Sequence, residues 1–285
     1  MAMALYEPAT AVIVSWFDAT LRPRAVLAMI VVAGFASTIF MPLTGLLNDR
    51  YGWRATLLIF AALYAVIAVP LHALVIRRPP LARSAGPLVT SAEQRLLART
   101  ALRDSRFWCL TIAFVAHGAA MSAMTVHLVV FLTTQGHPAT FAASVAGLLG
   151  LLSVTGRVVL TAAQRHVRLD RVVAAVFTVQ AAASLSMPLL AGSRTGAVLA
   201  VTAFGLGFGI ASLAIPQLLA DRYGTKAYGS IAGNLAAPVT LAKAGAPLGA
   251  AALLGAAGGY SLVLNVIGAM SMIAAVGILA RATAD

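Results

Sequence analysis

Charged residues are scarce in this chain of 285 residues: they make up 10% of it, and only eight are acidic. Hydrophobic residues make up 61%, and the mean hydropathy is +0.93. These values exclude an ordinary soluble domain and predict an all-α, polytopic membrane helical bundle. The apolar stretches long enough to cross a bilayer are 25–47, 54–76, 107–132, 139–163, 171–191, 196–218, 229–256 and 260–280, with a shorter one at 3–17.

Cysteine is also nearly absent. Cys109 is the single one, so an internal disulfide is excluded. The five histidines lie on separate segments, and neither H-E-x-x-H nor C-x-x-C occurs. We therefore expect no metal site and no cofactor. The sequence places no nucleophile and base together at one depth in the membrane, so we also expect that the protein is not an enzyme.

The net charge of +12 would suit nucleic-acid binding, but the positions of the basic residues favour another explanation. Fifteen of the 20 Lys and Arg residues lie in alternate loops, and three lie in the loops between them. This positive-inside pattern predicts a multi-pass protein in a lipid bilayer, with the loop at 78–106 and the C-terminus in the cytoplasm. We expect no nucleic-acid partner.

The two remaining basic residues fall within predicted spans. Lys243 lies in the small, apolar run "VTLAKAGAPLGA", residues 239–250, and Arg157 lies in "LLSVTGRVVLTAA". A charge at the bilayer centre costs about 2.5–3.5 kcal/mol, so each side chain is expected to face protein or a water-filled cavity. Arg157 has a second interpretation, because it is near enough to the end of its span to reach the interface by snorkelling.

Acidic residues supply little counter-charge within the spans. Seven of the eight lie in or beside loops, and Glu7 is the exception. Because unpaired buried cations are unfavourable, an anionic substrate is the expected partner of Lys243 and Arg157. Three interpretations of Glu7 stay open: an ion pair with one of these cations, a site for a coupling proton, or a carboxylate close to the membrane surface.

Other polar residues in the spans are further candidates. His117 and His127 lie ten residues apart on one helix, so they point about 80° apart. Each either relays protons or hydrogen-bonds a neighbouring helix. Asn234 is a candidate for the substrate site, and with Ser230 and Gln217 it is also suited to hydrogen bonds between helices.

Glycine pairs and clusters in the spans predict close packing of helices. The pairs Gly229xxxGly233 and Gly245xxxGly249 lie in the same span as Lys243. The cluster "GLGFGI", residues 205–210, lacks the Lys-Ser/Thr that follows a phosphate-binding loop, so we assign it to packing as well.

The longest polar stretch, residues 77–106, divides the chain. It begins with a proline pair and contains a capping box, Ser91 to Gln94, that opens a short basic helix. We predict an incomplete N-terminal bundle over 1–76, a cytoplasmic linker over 77–106 and a C-terminal six-helix bundle over 107–285. The basic helix either lies against anionic lipid or forms a solvated linker.

Several stretches resemble bacterial transporters of the major facilitator superfamily, and within it the branch of monocarboxylate and oxalate/formate carriers. "ALYEPATAVIVSWF", "AGFASTIFMPLTGLLNDRYGWRATLLIFAALY", "SRFWCLTIAFVAHGAAMSAMTVHLVVFL" and residues 226–254 resemble the fourth, fifth to sixth, seventh and eleventh helices. The most specific part is "PLTGLLNDRYGW", residues 42–53. Helices one to three have no counterpart, so we expect an N-terminally truncated member with about nine transmembrane helices.

The resemblance implies secondary transport of a small, carboxylate-like organic anion by alternating access. In that branch an arginine at the place of Arg157 belongs to the substrate path and follows an aspartate, which Ser153 replaces here. The substrate-site candidates are Lys243, Arg157, His117, Glu7 and Asn234, with a proton or a counter-anion as coupling partner. The alternatives are an exporter of a hydrophobic solute or drug, and a truncated remnant that does not transport. We expect a monomer in a bacterial inner membrane.

Overall fold

The computed structural model describes residues 9, 12–13, 16–17, 21–75, 91–224 and 226–282, and the regular elements within them are α-helices, which confirms the predicted all-α fold. The chain divides into two compact units, Met1–Leu88 and Val89–Asp285. The first contains α1 (Arg22–Val75). The helices of the second are α2 (Ser91–Arg103), α3 (Ser105–Thr134), α4 (Ala139–Ala163), α5 (Leu169–Leu190), α6 (Arg194–Gly205), α7 (Ile210–Tyr223), α8 (Tyr228–Ala257) and α9 (Tyr260–Ala282).

Helix α1 is interrupted at Gly52, where φ is 73° and ψ is 166°. Glycine adopts this left-handed backbone without a steric penalty. The rings of Phe40 and Phe60 meet edge to face, with centroids 5.8 Å apart. Twenty residues of straight helix would separate them by about 30 Å, so the chain turns back at Gly52. The turn lies between the predicted spans 25–47 and 54–76.

The second unit is organised around α3. Helices α8, α9 and α4 pack against it, α5 packs against α9, and α6 packs against α4 and α5. Large aromatic side chains fill the interior between these helices, and they come from α3, α5 and α6. The most deeply buried are Phe107, Phe114, Phe131, Phe177 and Phe204.

Among the described residues, seven helical segments are long and apolar enough to cross a membrane. Their bounds agree closely with seven of the predicted spans. The segments are Arg50–Leu71, Ser105–Thr134, Ala139–Ala163, Leu169–Leu190, Arg194–Tyr223, Tyr228–Ala256 and Tyr260–Ala280. The short predicted span at 3–17 lies mostly outside the described residues.

The segment Arg194–Tyr223 is not one continuous helix. Helix α6 ends at Gly205 and α7 begins at Ile210, so residues 206–209 form a break about halfway along the segment. Three of the five residues from Gly205 to Gly209 are glycine, which has a low helix propensity. The sequence predicted a single span over 196–218, and this break is the main departure from it.

Asp104 stabilises the junction of α2 and α3. Its carboxylate accepts hydrogen bonds from the Arg106 backbone N–H at 3.0 Å and the Tyr223 hydroxyl at 3.1 Å, and Arg222 lies 3.6 Å away. Burial alone would raise the pKa of Asp104, but these hydrogen bonds and the nearby arginine charges together lower it below its usual value. The end of α7 is thereby tied to the start of α3.

Candidate functional site

Lys243 lies at mid-length on α8, 15 residues after Tyr228 and 14 before Ala257. Its aliphatic stem packs on α3 at Gly118: a methyl group built at Gly118 would lie 3.2 Å from Cε and 3.3 Å from Cγ of Lys243. The Lys243 carbonyl accepts a 2.6 Å hydrogen bond from the Ser122 hydroxyl of α3. Glycine at 118 therefore leaves room for the lysine between the two helices, while the residue as a whole stays exposed.

Arg157 lies on α4, six residues before its end at Ala163, and is half buried. Its Nε donates to the Gly209 carbonyl at 3.3 Å, in the break between α6 and α7. The backbones are in close contact here, because a methyl group at Gly209 would overlap with the Ser153 carbonyl and one at Gly156 with the Leu206 carbonyl. Arg157 thus bonds inward to the middle of a neighbouring span instead of reaching toward the end of its own helix.

The close contacts around residues 205–209 confirm that the glycine cluster serves packing. The other glycine pairs make no such contact with the described residues: nothing among them lies within 4 Å of a methyl group built at Gly229, Gly233, Gly245 or Gly249. These four glycines lie on the exposed face of α8, which the helices of the second unit leave uncovered.

His117, on α3 beside Gly118, is 3% exposed. Its ring stacks on Phe177 of α5, with centroids 4.3 Å apart and an angle of 19° between the planes. Gln180, one turn along α5 and fully buried, interacts with the histidine ring, as does the Lys243 charge. His117 is therefore the candidate that the structure brings next to Lys243.

Gln180 joins this cluster to the broken helix. Its Nε2 donates to the Phe204 carbonyl at 2.8 Å and points at the Met121 sulfur at 3.1 Å. A methyl group at Gly207 would overlap with the Gln180 amide. Gln180 thus adds a second hydrogen bond to the Phe204 carbonyl, which also accepts from the Gly207 backbone N–H, and Arg157 adds one to the Gly209 carbonyl, which also accepts from the Ser212 hydroxyl.

No hydrogen bond or ion pair in the described part of the chain joins Lys243 to Arg157. Lys243 contacts α3, and Arg157 contacts the break between α6 and α7. The described acidic side chains lie at the ends of helices, in the arrangement that the sequence predicted. They are Glu93 in the first turn of α2, Asp104 before α3, Asp170 in the first turn of α5 and Asp221 in the last turn of α7.

The other predicted site residues are placed elsewhere or are not described. Asn234 is exposed on α8, and its amide donates to the Ser230 carbonyl of its own helix at 2.8 Å, so the predicted hydrogen bond between helices is not formed by this group. Glu7 lies outside the described residues. His127 has both ring nitrogens engaged, Nδ1 with the Tyr260 hydroxyl at 3.3 Å and Nε2 with the Pro247 carbonyl at 3.1 Å.

An apolar groove of about 460 Å³ lies away from these residues, between α3 and α9. It is lined by Cys109, Ile112, Ala269, Met272, Ile273, Val276 and Gly277. Since none of these side chains is charged, the groove offers an anion no favourable contact. Among the described residues, His, Cys, Asp and Glu form no group of three or more that could hold a metal ion.

Sequence reasoning missed Gln180 and the break at 206–209. An amide in the apolar run "FTVQAAASL" was the available signal for Gln180, and it does not reveal which helix the amide contacts. The break is contacted by Arg157 of α4 and Gln180 of α5, and the sequence alone does not reveal these contacts.

Comparison with protein families supports a transporter. The model described as Major Facilitator Superfamily matches residues 1–247, which include His117, Arg157, Gln180 and Lys243. A comparison with curated proteins finds no significant match. Because the family match covers most of the chain and the helices have the length and apolarity of membrane spans, this multi-pass membrane protein belongs to the major facilitator superfamily of transporters.

Proposed function

We propose that this chain carries a small organic anion with a carboxylate group, and that Lys243 binds the negative charge. The observation that carries the proposal is the position of Lys243. It lies at mid-length on a membrane-spanning helix, and no carboxylate of the described residues pairs with it. A charge at that depth is unfavourable by about 2.5–3.5 kcal/mol unless it meets a counter-charge or water.

The packing of Lys243 supports a role in binding. Gly118 lets its stem lie against α3, and the Ser122 bond holds the α8 backbone beside it. A lysine presents a compact ammonium with three donors, which suits a carboxylate. The backbone and the aliphatic stem of Lys243 are therefore positioned against α3, while Lys243 as a whole stays exposed on α8.

Arg157 is the second cation of the proposed site. It is bonded to a backbone carbonyl through Nε alone in the described chain, so its guanidinium keeps donors for a carboxylate. Discontinuous helices at mid-membrane are common at substrate sites of transporters, and Arg157 contacts the break between α6 and α7. We propose that the anion engages Lys243 and Arg157 together during alternating access, in a bacterial inner membrane with the C-terminus in the cytoplasm.

Binding of matched acids and amides to the purified chain tests this proposal. The probes are acetate against acetamide, lactate against lactamide, and oxalate against oxamide, with the shift in melting temperature as readout. At least one carboxylate is expected to stabilise the protein while its amide does not. Lys243→Gln and Arg157→Lys should each weaken the binding of that carboxylate by about tenfold or more. Lys226→Gln, which removes an exposed lysine just before α8, is the matched control and should leave binding unchanged.

Equal stabilisation by acids and amides would overturn the proposal, as would carboxylate binding that is unaffected by Lys243→Gln. Stabilisation by apolar amines or neutral drugs alone would favour a hydrophobic-solute carrier instead.

A further inference from the structure

The apolar groove between α3 and α9 lies at a defined depth. Its shallow end is formed by Cys109, four residues after the start of α3, and Gly277, five residues before the end of α9. A methyl group at Gly277 would lie 3.0 Å from the Cys109 carbonyl oxygen, so these two residues are at the same level. This level is about 6–8 Å from the helix ends. The deep end is formed by Ala269, about 12 Å further along α9.

These dimensions match one leaflet of a bilayer. Helix α3 has 30 residues and is about 45 Å long, so it extends about 7 Å beyond a hydrocarbon core of about 30 Å at each end when it is centred. The groove therefore begins at the boundary of the hydrocarbon and ends near the middle of the membrane. Its volume of about 460 Å³ is that of an ordinary ligand pocket. Its length suits one acyl chain.

The walls of the groove are apolar and open to the side. Ile112 of α3 and Met272, Ile273 and Val276 of α9 are exposed, and none of the lining side chains is charged. The three residues of α9 are spaced so that they form one continuous stripe along the helix. A methionine within the stripe adapts its shape to a flexible occupant. The lining therefore suits a hydrocarbon chain.

Trp108 marks the shallow end of the groove. It precedes Cys109 directly and lies one turn before Ile112, so it continues the same face of α3. Its ring is exposed, and its Nε1 donates to the Leu102 carbonyl, near the end of α2, at 2.9 Å. Tryptophan is enriched where the hydrocarbon meets the headgroups. The end of α2 therefore lies beside the mouth of the groove, at the level of the headgroups.

Arg103 is the last residue of α2 and follows Leu102 directly. It is exposed, and no ion pair involves it in the described part of the chain. Asp104, the acidic residue beside it, accepts from the Tyr223 hydroxyl and lies 3.6 Å from Arg222. The Arg103 guanidinium is therefore available to a phosphate group, which it can bind through two parallel hydrogen bonds.

The charge around the mouth of the groove is complementary to an anionic headgroup. Arg95 and Arg99 are exposed on α2 and precede Arg103 at four-residue spacing, so the three arginines form a basic stripe. The positive-inside pattern predicts that this end of the second unit is cytoplasmic, and clustered arginines at that surface attract anionic lipids. The charge therefore favours an anionic phospholipid over a zwitterionic one.

We infer that the groove between α3 and α9 binds one acyl chain of an anionic phospholipid, and that Arg103 binds the phosphate of its headgroup. A second copy of this chain fits the groove less well, because a packed helix would cover the full length of a span and the groove occupies one leaflet. The site is separate from Lys243 and Arg157, so the inference does not depend on the proposed substrate.

The native cysteine provides the test. Cys109 is the single cysteine of the chain, is half-buried and lines the groove, so a bound acyl chain should slow its reaction with N-ethylmaleimide. Mass spectrometry follows this reaction for the purified chain in detergent, with increasing amounts of dioleoylphosphatidylglycerol or dioleoylphosphatidylcholine. The phosphatidylglycerol should protect at about fivefold lower concentration, which is the preference that one arginine near a membrane surface provides. Glycerol 3-phosphate, which has the phosphate without an acyl chain, should not protect.

Variants separate the headgroup from the acyl chain. Arg103→Gln should reduce the preference for phosphatidylglycerol to less than about twofold, and Arg103→Lys should retain most of it. Arg165→Gln, which removes an exposed arginine from the loop after α4, is the matched control and should leave the preference unchanged. Ala269→Phe fills the deep end of the groove and should abolish protection by both lipids, whereas Ala182→Phe, at an exposed position of α5, should not.

Equal protection by the two phospholipids overturns the inference, as does a preference that Arg103→Gln leaves at the wild-type value. Protection that survives Ala269→Phe would place the acyl chain elsewhere and also overturn it. Protection that needs no lipid and increases with protein concentration would assign the groove to a second copy of the chain instead. Each of these results leaves the anion proposal standing, because carboxylate binding is measured separately.

Discussion

Helices α3 and α8 have the same length, 30 residues, and pack against each other, yet they are embedded very differently. In the most apolar window of α3, 61% of the residues are buried, against 11% in α8. Helix α3 begins with a side-chain cap, Asp104, whereas α8 begins at Ala227 without one. Helix α3 is the scaffold of the second unit, and α8 is attached to it along one face.

This difference indicates that α3 contributes mainly to the stability of the unit, whereas α8 presents the residue proposed to bind the anion. The buried helix carries His117, whose surroundings are fixed by Phe177 and Gln180 on α5. The exposed helix carries Lys243, which is held by its stem and backbone but not by a counter-charge within the described chain. Stability should therefore respond mainly to changes around α3, and anion binding mainly to changes on α8.

The largest expected effect on stability comes from the contact of α9 with α3. A methyl group at Gly277 would lie 3.0 Å from the Ala113 Cβ and 3.0 Å from the Cys109 carbonyl oxygen. Gly277→Ile should push the two helices apart and lower the free energy of unfolding by about 1–3 kcal/mol, as overpacking does in other cores. Titration with SDS in mixed micelles measures this.

Gly249→Ile on α8 is the matched control, because no described atom lies within 4 Å of a methyl group there. It should leave the unfolding free energy within about 0.5 kcal/mol of the wild type. Equal destabilisation by the two substitutions would break the distinction between the scaffold helix and the attached helix.

A smaller, pH-dependent effect is expected at the start of α3. The folded protein lowers the pKa of Asp104, so its carboxylate stabilises the fold above the unfolded value, and this contribution disappears as the pH falls through the folded value. Asp104→Asn keeps a capping side chain but removes the charge. It should be destabilising at pH 7 by up to about 1 kcal/mol, and the difference from the wild type should begin to shrink near the unfolded pKa of about 4 and vanish only below the lower folded pKa. A difference that stays constant from pH 7 to pH 3 would show that the charge of Asp104 is not what stabilises the junction.

The spans themselves could be predicted from the sequence, because apolar length alone decides them. The predicted 139–163 is observed as Ala139–Ala163, and 107–132 as Ser105–Thr134. Lys243 and Arg157 could be singled out for the same reason, since charge is rare in apolar runs. Periodicity and composition carry this information within one helix.

Contacts between helices could not be predicted in the same way. The glycines of residues 205–209 and those of α8 fit the same small-residue pattern, but among the described residues only the first group meets atoms of neighbouring helices. Arg157 and Gln180 hydrogen-bond to carbonyls on either side of the break at 206–209, and both come from other helices. His117 and His127 are equivalent in the sequence, and only their neighbours distinguish them.

Chemical rescue at residue 243 tests the central claim most directly. In a Cys109→Ser background, Lys243→Cys should lose carboxylate binding, because the positive charge is gone. Reaction with 2-aminoethyl methanethiosulfonate, verified by mass spectrometry, restores an ammonium at that position and should restore binding, whereas methyl methanethiosulfonate adds a neutral group and should not. Binding that survives Lys243→Cys, or that both reagents restore equally, would contradict the assignment of Lys243 as the anion-binding charge.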